Sequence, residues 1–335
     1  MTLGFLLRRI LGLAGVLFCA ISITFFLVRL LPGGPFSSER KLLPHIEQQL
    51  NLKYKLEGPQ GRAAFRGFAE RLHQPPPVVD AFGNAGSLAQ QYIDYWGDLL
   101  RGDLRISTKY RDRSVNELLA DSLPVTMTIG AIAFVLALIF GVGAGVIAAA
   151  RQNTLTDAGV MTSALLTVSI PTFVIGPLLI FVFALTLRIL PVGGLGSWQN
   201  LLLPAVTLAA PYAGYVARLM RASMLDTLTQ DFVRTALAKG LRERAILLKH
   251  ALRVAALPVV SYAGPLAAHL LTGSLVIEMV FNLPGSGQFF VNGILNQDGF
   301  LVGGVVIIYC VLLLVMNTCV DIAYSLLDRR VKLDG

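Results

Sequence analysis

Charge is what this chain has least of. Only 14% of its 335 residues are Asp, Glu, Lys or Arg, against roughly 25% in an average soluble protein. Soluble domains of this length cannot be clothed with so few charges. Disorder is excluded as well, because 55% of the residues are apolar. Cysteine is scarce too. Cys19, Cys310 and Cys319 lie inside apolar runs without metal-ligand spacing. A disulfide-stapled secreted domain is excluded, and the thiols are expected to pack as small hydrophobes. The chain has no G-x-x-x-x-G-K-[ST], not even a Gly-Lys pair, no H-E-x-x-H and no G-x-S-x-G. No catalytic residue, metal site or ATP site of its own is therefore expected. No basic patch interleaved with base-reading side chains is present, so nucleic acid is not an expected partner. What remains is an all-α, polytopic membrane protein whose solvent is the lipid bilayer.

A membrane helix needs about 20 mostly apolar residues. Runs free of Asp, Glu, Lys and Arg occupy Ile10–Val28, Ser122–Ala150, Ala158–Leu187, Leu201–Ala217, Val254–Ile277 and Gly299–Val320. Six transmembrane helices are expected, the short fourth run extended by snorkelling of Arg218 and Arg221. The first run follows Arg8-Arg9 but is long for a signal peptide and has no A-x-A site, so it reads as an uncleaved anchor.

Orientation follows from Lys and Arg in the short loops. With the N-terminus inside, the inner segments collect Arg8, Arg9, Arg151, the eight basic residues between Arg218 and Arg253, and Arg329, Arg330 and Lys332; the short outer loops hold only Arg188. Both termini are expected in the cytoplasm, and most of the net charge of +8 with them. Three regions result: 1–31, the N-terminus and first helix; 32–121, an outer segment; and 122–335, the core of helices two to six. The outer segment opens on Pro32-Gly33-Gly34-Pro35, contains Pro75-Pro76-Pro77, and carries a helical pattern over Gln90–Leu104 with Tyr92, Tyr95, Trp96 and Leu99 on adjoining faces.

The loop 222–256 carries the mechanism. Met224, Leu225, Leu228, Phe232 and Val233 recur at helical spacing, Gly240 interrupts, and Leu241, Ala245, Leu248 and Leu252 resume the pattern. Loops between elements are usually short, so some 30 patterned residues facing the cytoplasm suggest a docking element. Ala and Gly here would let two backbones approach closely.

Within it, Asp231–Pro258 reads DFVRTALAKGLRERAILLKHALRVAALP. This resembles the cytoplasmic loop of ABC-importer permeases in the form used by the peptide and nickel branch. Other stretches match along nearly the whole chain: Leu7-Arg8-Arg9, Lys109–Leu118 (KYRDRSVNEL), Ala144–Thr154 (AGVIAAARQNT), Ile170-Pro171-Thr172-Phe173, Leu203–Leu208 (LPAVTL), Ser261–Pro265, Thr272–Glu278 and Leu283–Gly287 (LPGSG). They are similar to the B-subunit family of oligopeptide permeases in particular. Gly34 and Val254 depart from that pattern, and about 30 residues around Gly58–Gly86 look inserted.

The resemblance implies a type I ABC-importer permease fold with an enlarged outer segment between helices one and two. It implies that Thr235, Ala236, Ala238, Lys239, Gly240 and Leu241 form the helix that receives motion from an ATPase. It further implies a second, homologous permease subunit, two cytoplasmic ATPase subunits that hold ATP and Mg, and an extracytoplasmic peptide-binding protein. The setting would be a bacterial cytoplasmic membrane and the mechanism alternating access. Oligopeptide is the expected cargo, with dipeptides, peptide antibiotics and nickel complexes as alternatives. An ion-coupled secondary transporter is less expected: the runs hold almost no charge, and no inverted repeat is visible.

Some side chains invite separate readings. Glu278, at the end of the fifth run, is either a gate or pathway residue or an interface residue. With Leu283, Pro284, Gly285 and Gly287 it forms the candidate gate or binding-protein contact. His269 is expected as a hydrogen-bonded core residue and Asp321 as structural. Prolines 171, 177, 204, 211, 258 and 265 are expected to shape the helices, and Gly141, Gly143 and Gly145 to permit close crossing.

Overall fold

The computed structural model describes residues 3–30, 44–110, 112–273 and 275–327. Among them the secondary structure is helical, save one isolated bridge between Ile106 and Ser114. Two compact units share the chain. One comprises Met1–Ala14, Ser122–Gln288 and Tyr309–Gly335, the other Gly15–Asp121 and Phe289–Ile308.

The first unit is built on α5 (Val115–Ala150), α6 (Leu155–Ser169), α7 (Thr172–Leu179), α8 (Leu202–Leu228) and α12 (Leu257–Leu271). Its core runs through Ile129, Ala133 and Ala137 of α5, Val216 and Met220 of α8, and Leu266 and Leu270 of α12. Alanine dominates the contact face of α5, while Val135, Ile139, Phe140 and Ile147 point away from the unit. Such a helix buries small residues against its neighbours and presents large apolar ones outward, the pattern of helix packing in lipid. A Cβ on Gly141 would press on Val216, and one on Gly145 on Met220 and the Ala217 carbonyl. These two glycines, one turn apart, set the α5–α8 crossing. Gly143 has nothing within 4 Å and takes no part in it.

Proline divides two of the expected spans. The run Ala158–Leu187 is not one helix. α6 ends at Ile170, whose extended backbone (φ −85°, ψ 123°) is what a following proline demands, and α7 restarts after Pro171 at an angle of 107°. Pro177 then lies inside α7, and the next turn, Ile180–Thr186, widens into a π-helix. In the fifth run, the helical stretch Glu243–Ala255 meets α12 at 54°, just before Pro258. α12 stops at Leu271, followed by Gly273 at φ +79°, and Leu275–Val280 is a separate short helix, α13. Among the described residues three helices are long and apolar enough to cross a membrane unbroken: Val115–Ala150, Trp198–Leu228 and Gly299–Cys319. The two bent pairs raise the number to five. The sixth expected span, α1 (Leu3–Leu30), is a 28-residue helix, but its described apolar part, Ala14–Arg29, is shorter than a span.

In the second unit, α3 (Pro59–Arg71) and α4 (Pro76–Leu100) form a helical hairpin, with α2 (Pro44–Lys53) ahead of it. The hairpin closes where Gly61 faces the Gly86 carbonyl; a Cβ on either would overlap the other's oxygen. The stretch that looked inserted is thus a folded element, and α4 starts 14 residues before the expected Gln90. Its aromatic residues pack rather than lie free. Trp96 stacks on Phe18 at 5.3 Å, Tyr92 on Phe26 at 5.5 Å, and Tyr95 sits beside Phe25. α14 (Ser286–Leu295) lies across the division of the chain, and α15 (Gly299–Leu327) begins in this unit. Asp298 caps α15, accepting from the Leu301 N–H, the Ser107 hydroxyl and the Thr108 N–H.

Two smaller expectations change. His269 is exposed rather than a core residue, its ring 5.5 Å from Tyr212. α12 turns that face outward. All three cysteines are free, but only Cys310 is half-buried; Cys19 and Cys319 are exposed on their helices. The side chain of Asp321 and the basic C-terminal residues lie outside the described residues.

Candidate functional site: the long loop and the glycine turn

α8 continues past the Arg221 level into a short turn, and α9 (Asp231–Ala238) follows. Val233 and Ala236 of α9 are buried against Ile246 and Leu228. That face is apolar because positions 233 and 236 lie one turn apart. The helix is ended by backbone geometry. Lys239 is the C-cap, and Gly240 follows at φ +75°. The Gly240 N–H donates to the Leu237 carbonyl (2.9 Å) and the Leu241 N–H to the Ala236 carbonyl (3.3 Å). This pair of bonds is a Schellman motif with glycine in its left-handed position.

The motif arranges the six predicted residues unequally. Ala236 faces inward. Thr235, Ala238, Lys239, Gly240 and Leu241 are exposed, together with Phe232 and with Leu237, which is 53% exposed. The Thr235 hydroxyl is turned back onto the Asp231 carbonyl at 3.0 Å. A small-residue tip flanked by Leu237 and Leu241 is what remains for another surface. The chain resumes through Glu243–Ala245 (α10), a π-helical turn at Ile246–Ala251 and Leu252–Ala255 (α11).

An ion pair that the sequence reading missed stands at the base of this loop. Asp157 receives the Arg221 side chain through both oxygens, at 2.6 and 2.7 Å. It also accepts from the Asn153 N–H at 3.0 Å, and its own N–H is directed at the Thr154 hydroxyl, the N-cap of α6. Arg221 therefore does not snorkel. It clamps α8 to the start of α6, two turns before α8 ends. The T-x-x-D spacing of Thr154 and Asp157 was a visible helix-start signal, but no sequence feature linked it to position 221.

The second predicted cluster folds around one carboxylate. Glu278 of α13 is 3% exposed. Its Oε1 accepts from the Thr126 hydroxyl (2.7 Å) and its Oε2 from the Gly287 N–H (2.9 Å), with the Gln288 N–H also directed at it. Thr126 in turn accepts from the Ser286 N–H (2.9 Å), and the Ser286 and Tyr309 hydroxyls are 3.0 Å apart. A carboxylate at the first N–H groups of α14 is favourably placed for the helix dipole. Gly285 and Gly287 exist here for space. A Cβ on Gly285 would overlap the Glu278 carboxyl carbon, and one on Gly287 would stand 2.8 Å from Oε2. Leu283 is fully buried and Pro284 exposed. Glu278, Gly285 and Gly287 thus meet in one cradle that fixes the turn, with Pro284 at its outer edge. Among the described residues no group of His, Cys, Asp and Glu could hold a metal.

The loop and the cradle both fall within a stretch with known relatives. The sequence pattern of the family described as "Binding-protein-dependent transport system inner membrane component" matches residues 141–333. The chain belongs to this family. It is 43% identical over 332 residues to the oligopeptide transport system permease protein OppB of Salmonella typhimurium, covering 98% of this chain and 99% of that one. It is 37% identical to the dipeptide transport system permease protein DppB of Bacillus subtilis, with 98% of each covered. Its fold is similar to a chain of the inward-facing MetNI methionine ABC transporter, with a TM-score of 0.54 at 18% identity, over 63% of this chain and 97% of that one. The family is one of non-catalytic membrane components, and the resemblance drawn from the sequence motifs leads to the same place.

Proposed function

We propose that this chain is a permease subunit of an ATP-driven importer of oligopeptides. Together with a second, homologous permease it would form the membrane pathway. Two cytoplasmic ATPase subunits would hold ATP and Mg and receive the α9 tip in a groove, and an extracytoplasmic binding protein would deliver the peptide. In this reading both termini lie in the cytoplasm, which the excess of Lys and Arg in the short loops on that side supports. The tip carries the proposal. It is a helix end fixed by its own backbone, buried on one face through Val233 and Ala236 and bare on the other, in a chain with no nucleotide-binding motif.

The residues have separable tasks. Closure of the ATPases pulls the tip, and the bidentate Asp157–Arg221 pair makes α6 follow α8. The spans rock, and access alternates. On the outer side Glu278 holds the 283–287 turn in one shape, so that the turn meets the binding protein or closes the path. The relative named for oligopeptide transport supports the cargo. The similarity to DppB supports a second reading, dipeptide cargo.

Reconstitution of the chain with its partner permease, ATPases and binding protein tests the proposal. ATP-dependent uptake of a radiolabelled pentapeptide is expected. Uptake of dipeptide alone selects the second reading, and uptake without ATPase subunits refutes both.

A further inference from the structure

The first unit presents two kinds of exposed surface. Val135, Ile139 and Phe140 of α5, and Phe173, Leu178 and Phe181 beyond Pro171, expose only hydrocarbon, as a face bathed in lipid requires. α8 and α12 present the other kind. Tyr215 is 45% exposed, Tyr262 is half-buried, and Ser261 and His269 are exposed. All four lie in the runs Leu201–Ala217 and Val254–Ile277, which hold no Asp, Glu, Lys or Arg.

Helical spacing gathers these groups. Pro258, Tyr262, Pro265 and His269 recur at i, i+4, i+7 and i+11 along α12, and Pro211 and Tyr215 at i and i+4 along α8. The two stripes meet. The Tyr215 and Tyr262 ring centroids are 4.6 Å apart, and those of Tyr212 and His269 5.5 Å. Pro265 supplies no N–H to the Ser261 carbonyl, which adds a backbone acceptor to the same stretch of α12.

Hydrocarbon against this face would leave hydroxyls and an imidazole unsolvated. A helix packed in lipid needs small residues at the contact, as Gly141 and Gly145 provide where α5 crosses α8; here rings and prolines stand out instead. Polar and ionisable side chains at this depth are retained where water and a polar solute reach them. Tyrosine hydroxyls and a neutral imidazole each donate and accept hydrogen bonds, which is what a main-chain amide requires. With no carboxylate, ammonium or guanidinium among them, the charges on a solute's side chains go unread. From Tyr262 to His269 the stripe runs about 10 Å at 1.5 Å per residue, the length of about three extended residues.

We propose that the face carrying Tyr215, Tyr262, Tyr212 and His269 is a wall of the translocation pathway, where it hydrogen-bonds the main-chain amides of a passing peptide whatever its side chains. The assignment rests on the peptide-cargo reading above and adds to it the residues that meet the cargo.

The test uses the complete transporter in proteoliposomes, with Cys19→Ala, Cys310→Ala and Cys319→Ala in this chain. Tyr215→Cys, Tyr262→Cys and His269→Cys are introduced singly, with Ile139→Cys as the lipid-facing control. Each is labelled with a charged methanethiosulfonate in the resting and nucleotide-trapped states, and this chain is read by mass spectrometry. The reagent attacks a thiolate, which forms in water and not in hydrocarbon, so the three are expected to react at least about tenfold faster than Ile139→Cys in one of the states. Saturating penta-alanine delivered by the binding protein should slow all three and leave Ile139→Cys unchanged. Rates no higher than that of Ile139→Cys overturn the proposal, in favour of a face covered by lipid or by the second permease. Fast labelling that penta-alanine does not slow overturns it too, because the face is then wet but not a peptide wall. Each substitution removes a ring, so the unsubstituted transporter is also irradiated with penta-alanine carrying a diazirine. Crosslinks are expected at 212–215 and 261–269, and crosslinks confined to other segments overturn the proposal. Uptake of penta-alanine and dialanine is measured in the same vesicles. If only dialanine is imported and only dialanine protects, the wall stands and the oligopeptide reading falls. If penta-alanine is imported without protecting, the wall falls and that reading stands.

Discussion

Substituting Gly240 with Ala, Asn and Val separates two reasons a glycine can stand at the α9 tip. The first is conformation. At φ +75° an L-residue other than Asn or Asp costs about 1–2 kcal/mol, which is a factor of about 5–30 in the equilibrium between the closed Schellman turn and a frayed one. The second is space for a docked surface. The chain itself makes no such demand, since nothing lies within 4 Å of a Cβ built on Gly240. The conformational argument therefore predicts the order Gly, Asn, Ala, Val, with Val worst because a β-branched residue tolerates positive φ least. Membrane insertion is expected to be unchanged throughout. Two assays report on the turn: the ratio of peptide transported to ATP hydrolysed in proteoliposomes, and the rate of tryptic cleavage after Lys239 and Arg242. Coupling should fall, and cleavage rise, in that order. If Ala keeps more coupling than Asn, bulk decides and the backbone argument is wrong. Gly240→Glu combines strain with bulk and charge and should uncouple most.

Gly285→Ala forces a methyl group into the Glu278 carboxylate and should destabilise the chain by about 1–3 kcal/mol; Glu278→Ala in the same chain should recover part of that loss, and strictly additive melting shifts would contradict the cradle. Replacing both Gly285 and Gly287 with bulky residues should abolish uptake while the binding protein keeps its affinity for peptide, and normal uptake would remove the turn from the mechanism. At the base of the loop, Arg221→Lys keeps the charge but loses the two-pronged bond. It should lower coupling less than Arg221→Met, which strands the Asp157 carboxylate; equal effects in a coupled-transport assay would deny the clamp. Asp98 gives a pH dependence. Burial alone would raise its carboxyl, but the bonds from Lys55 and Arg105 outweigh it and hold the group below the usual carboxylate range. Its stabilisation is complete above the unfolded value of about 3.9 and is lost as pH falls through the lower folded value. Near-UV signal from Trp96 in a Trp198→Phe chain should show that acid loss, and Asp98→Asn should flatten it.

Much of this molecule was legible because lipid imposes a local rule. Every charge-free run of sufficient length had to be helical, since backbone groups in hydrocarbon can be satisfied only within the segment. The glycine that ends α9 was equally local: Gly240 after A-L-A-K stands where a helix must stop. What escaped were features set by residues far apart. The 107° bend at Pro171 keeps an apolar composition on both sides, so the run looked continuous. His269 sat in an apolar run and yet faces out, because the face it occupies depends on which helices α12 meets.

The amino-acid sequence by itself determined that the chain is a helical membrane component, that it carries an extended patterned loop between two apolar runs, and that it has no nucleotide-binding motif. These follow from composition, run length and the absence of motifs, all of which are properties of contiguous residues. The tertiary structure alone decided that Glu278 belongs to Thr126 and Gly287 and that Asp157 belongs to Arg221. Partners 64 and 152 residues apart are chosen by how helices cross, and helix crossing depends on shape and small-residue contact, which no single stretch of sequence encodes.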